Sequence, residues 1–549
     1  MTTTNTNTPT QGIVLGIDLG TTTSEIAIFD MVTGKPVIIP NIDAMLAMLS
    51  LVYIPDENHA VVGQEAANRL GSSDAKKVIA GSKRLIAQDS LFTSDGKYLG
   101  TEYPVYNGAP LTPITAASLI IRKLVLENPN VMNLLNGQKP RVVVTFPAHF
   151  SPGAKARTKQ AVEAAGVEVI GMIEEPIAAA LTYHAGADCH DKTVIVYDFG
   201  GGTFDCTVIK YDATGHGVVQ AKKGDPLLGG ADCDNAFAFF LWEKYTTQKK
   251  AKISLKAEDF KLSQIDDLAT LRAVSKFRKL AQEAKHGLTA QESYEVVLDD
   301  GDVVINVTRN EFDECVKPQV KATLDIVQET LSEANVDASE IDEVLLVGGS
   351  SIMPCVKMTL EQTCPAWNGK CKRIDPNLAV ALGAAIWANH LANGNTGTTP
   401  IDNISTFSYG VKCIRKNADG KEEYFVSNLI LAGQKLKAVG HDCYSTYAEG
   451  QSNVAICIYA SESKNDVLGL DEAREIVNPA SNLLEFERAV PKGSKIEVTV
   501  ELDEAGMLDV SGRSLVDNGR CHFQLHVTGT LNDKGLDAAE KQIAAGDVR

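Results

Sequence analysis

Two short segments rich in glycine and threonine carry the most suggestive chemistry in this sequence. Residues 16–24 read GIDLGTTTS, and residues 198–205 read DFGGGTFD. Glycine lets backbone N–H groups approach an oxyanion without a Cβ in the way, and threonine hydroxyls add further donors. Turns of this composition are therefore predicted to bind phosphate.

Each segment also carries an aspartate at the end of an apolar run. Asp18 and Asp198 could hold a Mg²⁺ ion through its water, because Mg²⁺ keeps much of its hydration shell in proteins. Two such turns facing each other would clamp a triphosphate from both sides. One turn alone is more simply a tight hairpin, but two with the same order of Asp, Gly and Thr favour a nucleotide site.

The elements that must position these turns form an internal repeat. Residues 14–30 and 194–212 each read as an apolar strand ending in Asp, a Gly/Thr turn and a second strand with alternating apolar residues. Such a repeat predicts two related half-domains that face each other.

The segments between and after the repeats have α/β character. Residues 141–150 predict a buried strand, with Ser151 as the following helix N-cap and Pro152 at the first helical position. Residues 343–351 predict a strand that enters a glycine turn. Residues 375–394 predict a helix with a proline start and a glycine stop.

The character of the sequence changes after Gly394. The polar segment 393–400 predicts a boundary, and the chain beyond it reads as strands only. Residues 496–502 and 521–527 alternate strictly, with a hairpin turn predicted at 503–506. Six or seven strands of this kind predict a β-sandwich, and the segment 533–549 has room for one short helix.

Length, net charge and cysteine content limit the classes of partner and the cellular compartment that the sequence favours. The 549 residues are too many for one core, and the net charge of -18 disfavours nucleic acid and anionic membrane surfaces as partners. No apolar run is long enough to span a bilayer, and the polar tail 1–11 predicts disorder without a secretory signal. The eleven scattered cysteines favour a reduced, cytoplasmic compartment. A zinc site at Cys364 and Cys371 is an alternative with unusual spacing.

Taken in order, the motifs resemble those of the Hsp70 family. The two turns resemble the phosphate motifs shared by actin, sugar kinases and Hsp70, and four further segments resemble Hsp70 in particular: KRLI (83–86), IEEPIAAAL (173–181), LLGGADCDN (227–235) and LVGGSSIMP (346–354). The resemblance runs from about Gly12 to about Gly535. It implies an α/β actin-like ATPase domain of two RNase H-like halves (12–392), a linker (393–404), an all-β peptide-binding sandwich (405–532) and a short C-terminal helix or tail (533–549).

The resemblance also implies roles for individual residues, with ATP or ADP and Mg²⁺ as cofactors. Asp18, Glu175 and Asp198 would hold the hydrated Mg²⁺, and Lys83 would position the attacking water and stabilise charge on the γ-phosphate. Thr203 completes the predicted catalytic set. The predicted nucleotide-binding residues are Gly20, Thr21, Thr22, Thr23, Gly200, Gly201, Gly202, Thr203, Gly229, Gly230, Gln282, Lys285, Gly348, Gly349 and Ser350. Without the resemblance, Lys83 would read as a surface lysine and Glu175 as a helix N-terminal acid.

The predicted base site departs from the family pattern at three positions. Gln282, Ile352 and Asn377 stand where relatives carry Glu, Arg and Asp. Charge-assisted contacts would be lost there, which predicts weaker binding of the same nucleotide.

The connection between the two predicted domains departs from the pattern as well. Pro147 and Lys155 match the family's proline switch and basic relay residue. The family's linker run of Val and Leu is replaced by isolated Ile401 and Ile404, which predicts weak docking and weak coupling. Gly171 and Glu174 replace an Arg and an Asn that receive a J-domain, and an anionic Glu174 is expected to repel it.

The sandwich resembles its family in residues 407–413 and 490–512, which implies binding of extended apolar peptides. The stretch 429–463 is divergent, so no pocket residue is predicted. The family's helical lid would follow Gly535 and is expected to be missing.

The leading hypothesis is an ATP-hydrolysing chaperone whose partners are unfolded peptides, a dedicated J-domain protein and a nucleotide exchange factor. The alternative is an Hsp70-like regulatory or co-chaperone subunit with weak ATPase activity and no peptide cycle. A small-molecule kinase is disfavoured, because such kinases have no place for a β-sandwich.

Overall fold

The structure is a computed structural model that describes residues 12–70, 72, 74–261, 265, 267–393, 400–417, 419–476, 483–517, 519–524 and 529–549. The tail predicted at 1–11 and linker residues 394–399 lie outside the described residues.

Residues 12–192 alternate strands and helices. The strands are β1 (Leu15–Leu19), β2 (Thr23–Asp30), β3 (Lys35–Ile38), β4 (Met48–Leu49), β5 (Leu51–Asp56), β6 (His59–Val62), β7 (Val78–Ala80), β8 (Val105–Tyr106), β9 (Ala109–Pro110), β10 (Arg141–Phe146) and β11 (Glu168–Glu174). The helices are α1 (Gln64–Ala67), α2 (Ser82–Ile86), α3 (Pro113–Val125), α4 (Pro129–Leu135), α5 (Pro152–Ala164) and α6 (Glu175–His184). The predicted start of α5 is confirmed, because the Ser151 side chain accepts a hydrogen bond from the N–H of Ala154.

Residues 193–392 repeat this character. The strands are β12 (Thr193–Phe199), β13 (Phe204–Tyr211), β14 (Gly217–Asp225), β15 (Ser293–Leu298), β16 (Val303–Thr308), β17 (Glu343–Val347) and β18 (Cys371–Arg373). The helices are α7 (Gly230–Gln248), α8 (Leu268–Ala290), α9 (Arg309–Ala334), α10 (Pro354–Thr363) and α11 (Ala379–Ala392). Residues 12–392 are called the α/β region below.

Helix α11 begins three residues later than the proline-start pattern predicts. Asp375 has a positive φ of 34°, and its carbonyl accepts hydrogen bonds from Leu378 and Ala379. The carbonyl of Pro376 also accepts a bond from the N–H of Gly348. These bonds hold residues 375–378 as a turn against the glycine motif at 348–349.

Two six-stranded sheets confirm the predicted internal repeat. In the first sheet β1 pairs in parallel with β10 and antiparallel with β2, and in the second β12 pairs in parallel with β17 and antiparallel with β13. Every residue of β12 is buried, as expected for a strand covered on both faces. The repeated strand pair therefore has the same place in both sheets.

The chain from residue 400 to 530, called the β region below, is built of strands. They are β19 (Ile401–Asp402), β20 (Ser408–Lys416), β21 (Glu422–Ile430), β22 (Val439–Ser445), β23 (Gln451–Ala455), β24 (Ile458–Ser461), β25 (Val467–Gly469), β26 (Arg474–Glu475), β27 (Leu483–Val490), β28 (Lys495–Leu502), β29 (Leu508–Ser514) and β30 (Arg520–Gln524). Strands β20 to β30 form sheets of five, four and two strands around an apolar core, with a smaller apolar cluster at Val426, Tyr459 and Leu468. The hairpin predicted at 503–506 is confirmed between β28 and β29.

The linker contradicts the prediction of weak docking. Strand β19 pairs in parallel with the edge strand β14, and Ile401 and Ile404 are only 4% and 8% exposed. Both belong to a core cluster that includes Ile177, Val219 and Trp387. Two isoleucines are enough to dock this linker because the open edge of β14 also supplies main-chain hydrogen bonds, which do not depend on the type of side chain.

The last residues pack on the α/β region. Helix α12 (Asp533–Ala544) contacts α3 and α5, and β31 (Asp547–Val548) adds in parallel to the edge of β6. The Gln542 amide donates to the carbonyls of Tyr106 and Ala109 at 2.8 and 2.9 Å. The one short helix predicted here is present, but the added strand was not predicted. In the described part of the chain, no helix has the length and hydropathy needed to cross a membrane.

Candidate functional site

The two Gly/Thr turns face each other across the gap between the sheets. A Cβ placed on Gly201 would overlap the hydroxyl of Thr22, and one on Gly202 would overlap that of Thr21. A Cβ on Gly20 would overlap the carbonyl of Thr23 within the first turn. The close approach requires glycine in one turn and places hydroxyl donors in the other, which is the arrangement a phosphate clamp needs.

Paired carboxyl groups lie behind both turns. In the first sheet Asp18 on β1 is the direct partner of Glu25 on β2, and in the second Asp198 on β12 is the partner of Asp205 on β13. Side chains directly opposite on antiparallel strands share one face of the sheet. Each half of the repeat therefore presents two acidic groups.

Lys83 and Glu175 form a buried ion pair in the same site. Lys83 on α2 is 3% exposed, and its ammonium group donates to Oε1 of Glu175, the first residue of α6. Burial raises the pKa of Glu175 to about 7, although Lys83 opposes the shift. Burial by itself lowers the pKa of Lys83, but the charges of Glu175 and Asp18 outweigh it and the pKa is raised. The lysine therefore stays positively charged among these acids.

The other acidic side chains of the site are buried close to one another. Burial raises the pKa of Glu25, Asp198 and Asp205 well above the ordinary range, and neighbouring carboxylates add to each shift. Among the described residues, Oε1 of Glu25 and Oδ2 of Asp198 have no hydrogen-bond partner although both are buried. Orphaned carboxylate oxygens and an excess of negative charge fit a hydrated divalent cation. No three described His, Cys, Asp or Glu side chains form a direct-ligand cage.

Two further predicted segments converge on the second turn. The Gly200 carbonyl accepts hydrogen bonds from the N–H of Gly230 at 3.0 Å and from the hydroxyl of Ser350 at 2.8 Å. A Cβ on Gly229 would overlap the backbone of Gly202. Lys285 on α8 is buried beside Gly230 and pairs with Asp234 at 2.7 Å. The structure thus brings the predicted residues of α7, α8 and the 349–352 turn to one place.

The residues predicted to contact the adenosine lie beside the second Gly/Thr turn as well. Gly348 has a φ of 78°, and a Cβ there would overlap the carbonyl of Phe199. A Cβ on Gly349 would lie 3.0 Å from Oδ1 of Asn377. Gln282 is half-buried on α8, one turn before Lys285. Beside Ile352 the structure places a guanidinium that sequence reasoning missed, since Arg373 donates to the Ile352 carbonyl at 2.7 Å.

Pro147 follows β10, and Lys155 on α5 contacts the β region. Pro147 is buried directly after β10. Lys155 is 3% exposed, lies over the ring of Phe146 and donates to the carbonyl of Ala505 at 3.3 Å. Burial lowers its pKa to about 8. Both residues remain predictions as allosteric elements, and their positions are compatible with that role.

Glu174 does not have the surface position that the repulsion argument requires. Its carboxylate is 1% exposed and accepts two hydrogen bonds from Lys222 on β14, at 2.7 and 2.8 Å. Lys222 also donates to Asn403 of the linker at 3.1 Å. A Cβ on Gly171 would overlap Leu391 of α11. The expected repulsion of a partner's aspartate by Glu174 is therefore wrong for this structure.

Sequence reasoning missed Glu25, Asp205 and Lys222. The first two had a signal, because Asp18 and Glu25 have the same spacing as Asp198 and Asp205 within the repeat. Lys222 had none, because its pairing with Glu174 joins strands of different sheets. For the zinc alternative, no cluster of three ligands forms around Cys364 and Cys371 in the part of the chain that the structure describes.

Facing Gly/Thr turns on two repeated sheets, with acids at the strand ends, form the arrangement expected of a phosphate clamp in a nucleotide-binding α/β protein. The family model described as Hsp70 protein matches residues 14–547. A chaperone protein DnaK from Anaplasma marginale (strain St. Maries) is 28% identical over 546 residues, which is 95% of this chain and 78% of that protein. The chain belongs to the Hsp70 family of ATP-binding chaperones and is a divergent member of it.

Proposed function

We propose that this protein is an ATPase that uses hydrolysis to drive cycles of binding and release of extended apolar peptide segments. The observation that carries the proposal is the buried Lys83–Glu175 pair beside two facing phosphate turns. The actin-like ATPase domain would comprise residues 12–392, and the β-sandwich from 405 onward would hold the peptide.

Catalysis in this site would depend on positioning. Thr21, Thr22 and Thr203, with the backbone of Gly200 to Gly202, would donate to the phosphates of ATP. Lys83 would stabilise the charge that spreads over the γ-phosphate oxygens, and Glu175 would orient the attacking water. The remaining predicted contacts to the nucleotide come from Gly20, Thr23, Gly229, Gly230, Gln282, Lys285, Gly348, Gly349 and Ser350.

Mg²⁺, when bound, supplies neutralisation of the phosphate charge. Asp18, Asp198 and Glu175 would hold its water molecules, because carboxylate oxygens are the acceptors that a hydrated Mg²⁺ prefers. The Thr145 hydroxyl donates to Oδ1 of Asp18 at 2.8 Å and thereby fixes the orientation of that carboxylate.

Peptide binding is the second half of the proposal. The β region has an apolar core of its own, and its sheets resemble the sandwich that cradles extended peptides in this family. A J-domain protein and a nucleotide exchange factor are the partners we propose for the cycle, in the cytoplasm.

Single-turnover hydrolysis of radiolabelled ATP tests the chemistry. Lys83→Ala should lower the rate about 10²-fold or more while ADP affinity changes only a few-fold, because the lysine acts on charge that develops in the transition state. Lys139→Ala is the matched control, since that side chain is 67% exposed and makes one surface ion pair. Equal rates for Lys83→Ala and wild type would disprove the catalytic role.

Release of a fluorescent apolar peptide tests the cycle. We expect faster release with ATP than with ADP, and micromolar affinity in the ADP state. The regulatory-subunit alternative predicts weak ATP turnover and no nucleotide-dependent release of peptide, so the two measurements together separate the hypotheses.

A further inference from the structure

Glu25 is a buried acid in the nucleotide site that none of the family motifs identified in the sequence contains. Its side chain is 1% exposed and lies on the same face of the first sheet as Asp18. The hydroxyl of Thr23 stabilises one part of the carboxylate, but Oε1 has no hydrogen-bond partner among the described residues. A buried carboxylate oxygen without a donor is costly, so it calls for an explanation.

The equivalent acid in the second sheet is better satisfied. Asp205 accepts a hydrogen bond from the backbone N–H of His149 at 3.2 Å, and a Cβ on Gly224 would overlap its carboxylate. Asp205 is thus enclosed by protein. Glu25 instead has an unpartnered oxygen, and the charges that act on it are those of Asp18, Lys83 and Glu175.

A count of charges shows what the site lacks. Five acidic side chains act on one another here, namely Asp18, Glu25, Glu175, Asp198 and Asp205, and the cation that acts on them is Lys83. Lys83 donates to Glu175 and can neutralise one of the five. Like charges placed directly opposite on antiparallel strands destabilise a sheet, so Asp18 and Glu25 can both be ionised only with a further positive charge beside them.

We infer that Glu25 is an additional cation-holding carboxylate, which acts with Asp18 through the water of a divalent ion bound together with the nucleotide. The inference rests on the proposed nucleotide site and specifies how that site differs from one with a single acid behind each turn. Its consequence is that Glu25 makes nucleotide retention depend more strongly on the divalent ion.

The inference predicts a large effect with the cation and a small one without it. Without it, burial and the charge of Asp18 raise the pKa of Glu25 and favour its neutral form, so Glu25→Gln should change ADP binding in EDTA less than about twofold. With Mn²⁺ as the probe, the same variant should raise the Kd for Mn²⁺ in the presence of saturating ADP about tenfold, because one nearby negative charge is lost. Free Mn²⁺ is counted by electron paramagnetic resonance on the full chain, and ADP affinity by calorimetry.

Two variants control for shape and burial. Glu25→Asp keeps the charge and should retain most of the Mn²⁺ affinity. Asp313→Asn neutralises another carboxyl group whose Oδ1 is buried without a partner among the described residues, on α9, and should leave both measurements unchanged.

The outcomes separate the inference from the proposed function. If wild type binds ADP and Mn²⁺ together but Glu25→Gln has the same Kd for Mn²⁺, the inference is wrong and the nucleotide site stands. If Gln and Asp lose affinity equally, shape is responsible and the inference is also wrong. If wild type binds neither ADP nor Mn²⁺, the proposed function is wrong, and the inference that rests on it is wrong as well. Melting temperatures show whether a variant is poorly folded. The inference predicts that Glu25→Gln melts at a higher temperature than wild type in EDTA. It also predicts that adding Mn²⁺ with ADP raises the melting temperature of Glu25→Gln less than that of wild type.

Discussion

Glu174 and Glu175 are neighbours in the sequence, and the two buried clusters they belong to have different charge balances. Glu175 begins α6 and pairs with Lys83 in the nucleotide site, whereas Glu174 ends β11 and pairs with Lys222 beside the linker. Both ion pairs are almost completely buried. The pairs therefore resemble each other in burial and in the types of residue that form them.

The two ion pairs differ in the charges and hydrogen bonds that surround them. Around Glu175 the carboxyl groups outnumber the one lysine, and Asp198 keeps an oxygen without a partner among the described residues. Both oxygens of Glu174 accept from Lys222, which also reaches the linker through Asn403. A buried ion pair whose carboxylate oxygens are all hydrogen-bonded is typical of a structural contact. A buried cluster with more acidic than basic groups is typical of a site that binds a charged ligand.

The largest effect is expected from breaking the balanced pair. Glu174→Ala leaves the Lys222 ammonium buried without its anion, which should lower the free energy of unfolding by about 3–5 kcal/mol. Removing both charges with Glu174→Leu and Lys222→Met should cost far less than the single change. Urea unfolding of the purified chain measures both.

Glu168→Ala is the matched control for this experiment, because Glu168 lies on the same strand but is 44% exposed. Proteolysis within 393–406 should increase for Glu174→Ala only. A double variant as unstable as the single one would mean that the pair contributes through packing instead of charge.

Lys155 should give the pH dependence of the contact between the two regions. Its pKa is lowered from 10.5 to about 8 by burial, with Lys222 adding to the shift and Glu174 opposing it. Between these pH values the unfolded chain holds a proton that the folded chain has lost, so the free energy of unfolding should rise with pH by on the order of 3 kcal/mol.

Lys155→Met removes this contribution, so the difference between variant and wild type should shrink as the pH is raised from 8 to 10. Urea unfolding at several pH values measures the difference, and Lys139→Met controls for the loss of a lysine. Parallel curves for Lys155→Met and wild type would contradict the assignment.

Gly201→Ala tests how tightly the two phosphate turns fit together. The added methyl group would overlap the Thr22 hydroxyl, so the turns must separate and ADP affinity should fall about tenfold. Combining it with Thr22→Ala removes the obstruction, and the loss for the double variant should be smaller than the sum of the single losses. Gly186→Ala is the control, since its nearest neighbour would be 3.9 Å away. Additive losses would show that the turns do not touch in solution.

The smallest effect is expected at the exposed edge of the contact between the regions. His149 Nε2 lies 3.1 Å from Oε1 of Glu462, whose side chain is 59% exposed. An exposed pair of this kind contributes at most about 1 kcal/mol, so Glu462→Gln should change stability and linker proteolysis only slightly. A change as large as that of Glu174→Ala would remove the distinction between buried and exposed pairs.

The sequence predicts best what is local. The repeated strand–turn–strand units and the cap at Ser151 follow from periodicity and from side chains that act within a few residues, and the structure contains them. The proposed nucleotide-binding residues come from the resemblance, because each motif is a short continuous stretch of sequence.

The features that escaped prediction depend on how strands and sheets meet. Glu25 had a signal in the repeat, since its spacing from Asp18 equals that of Asp205 from Asp198, and the register of β1 and β2 places it opposite Asp18. The linker was expected to dock weakly because its apolar side chains are few, but docking also uses the unpaired edge of β14. Side-chain composition carries no information about such edges.

The strand added by β31 has a consequence for how the chain is made. The Gln542 amide donates to the carbonyl of Tyr106, which lies 436 positions earlier in the sequence, and β31 pairs with a sheet edge formed by residues near the start of the chain. At about 5–20 residues per second, synthesis of that interval takes on the order of 20–90 s. During this time the edge of β6 has no partner strand, so the sheet of β5, β6 and β7 must wait for β31 or be shielded until β31 emerges.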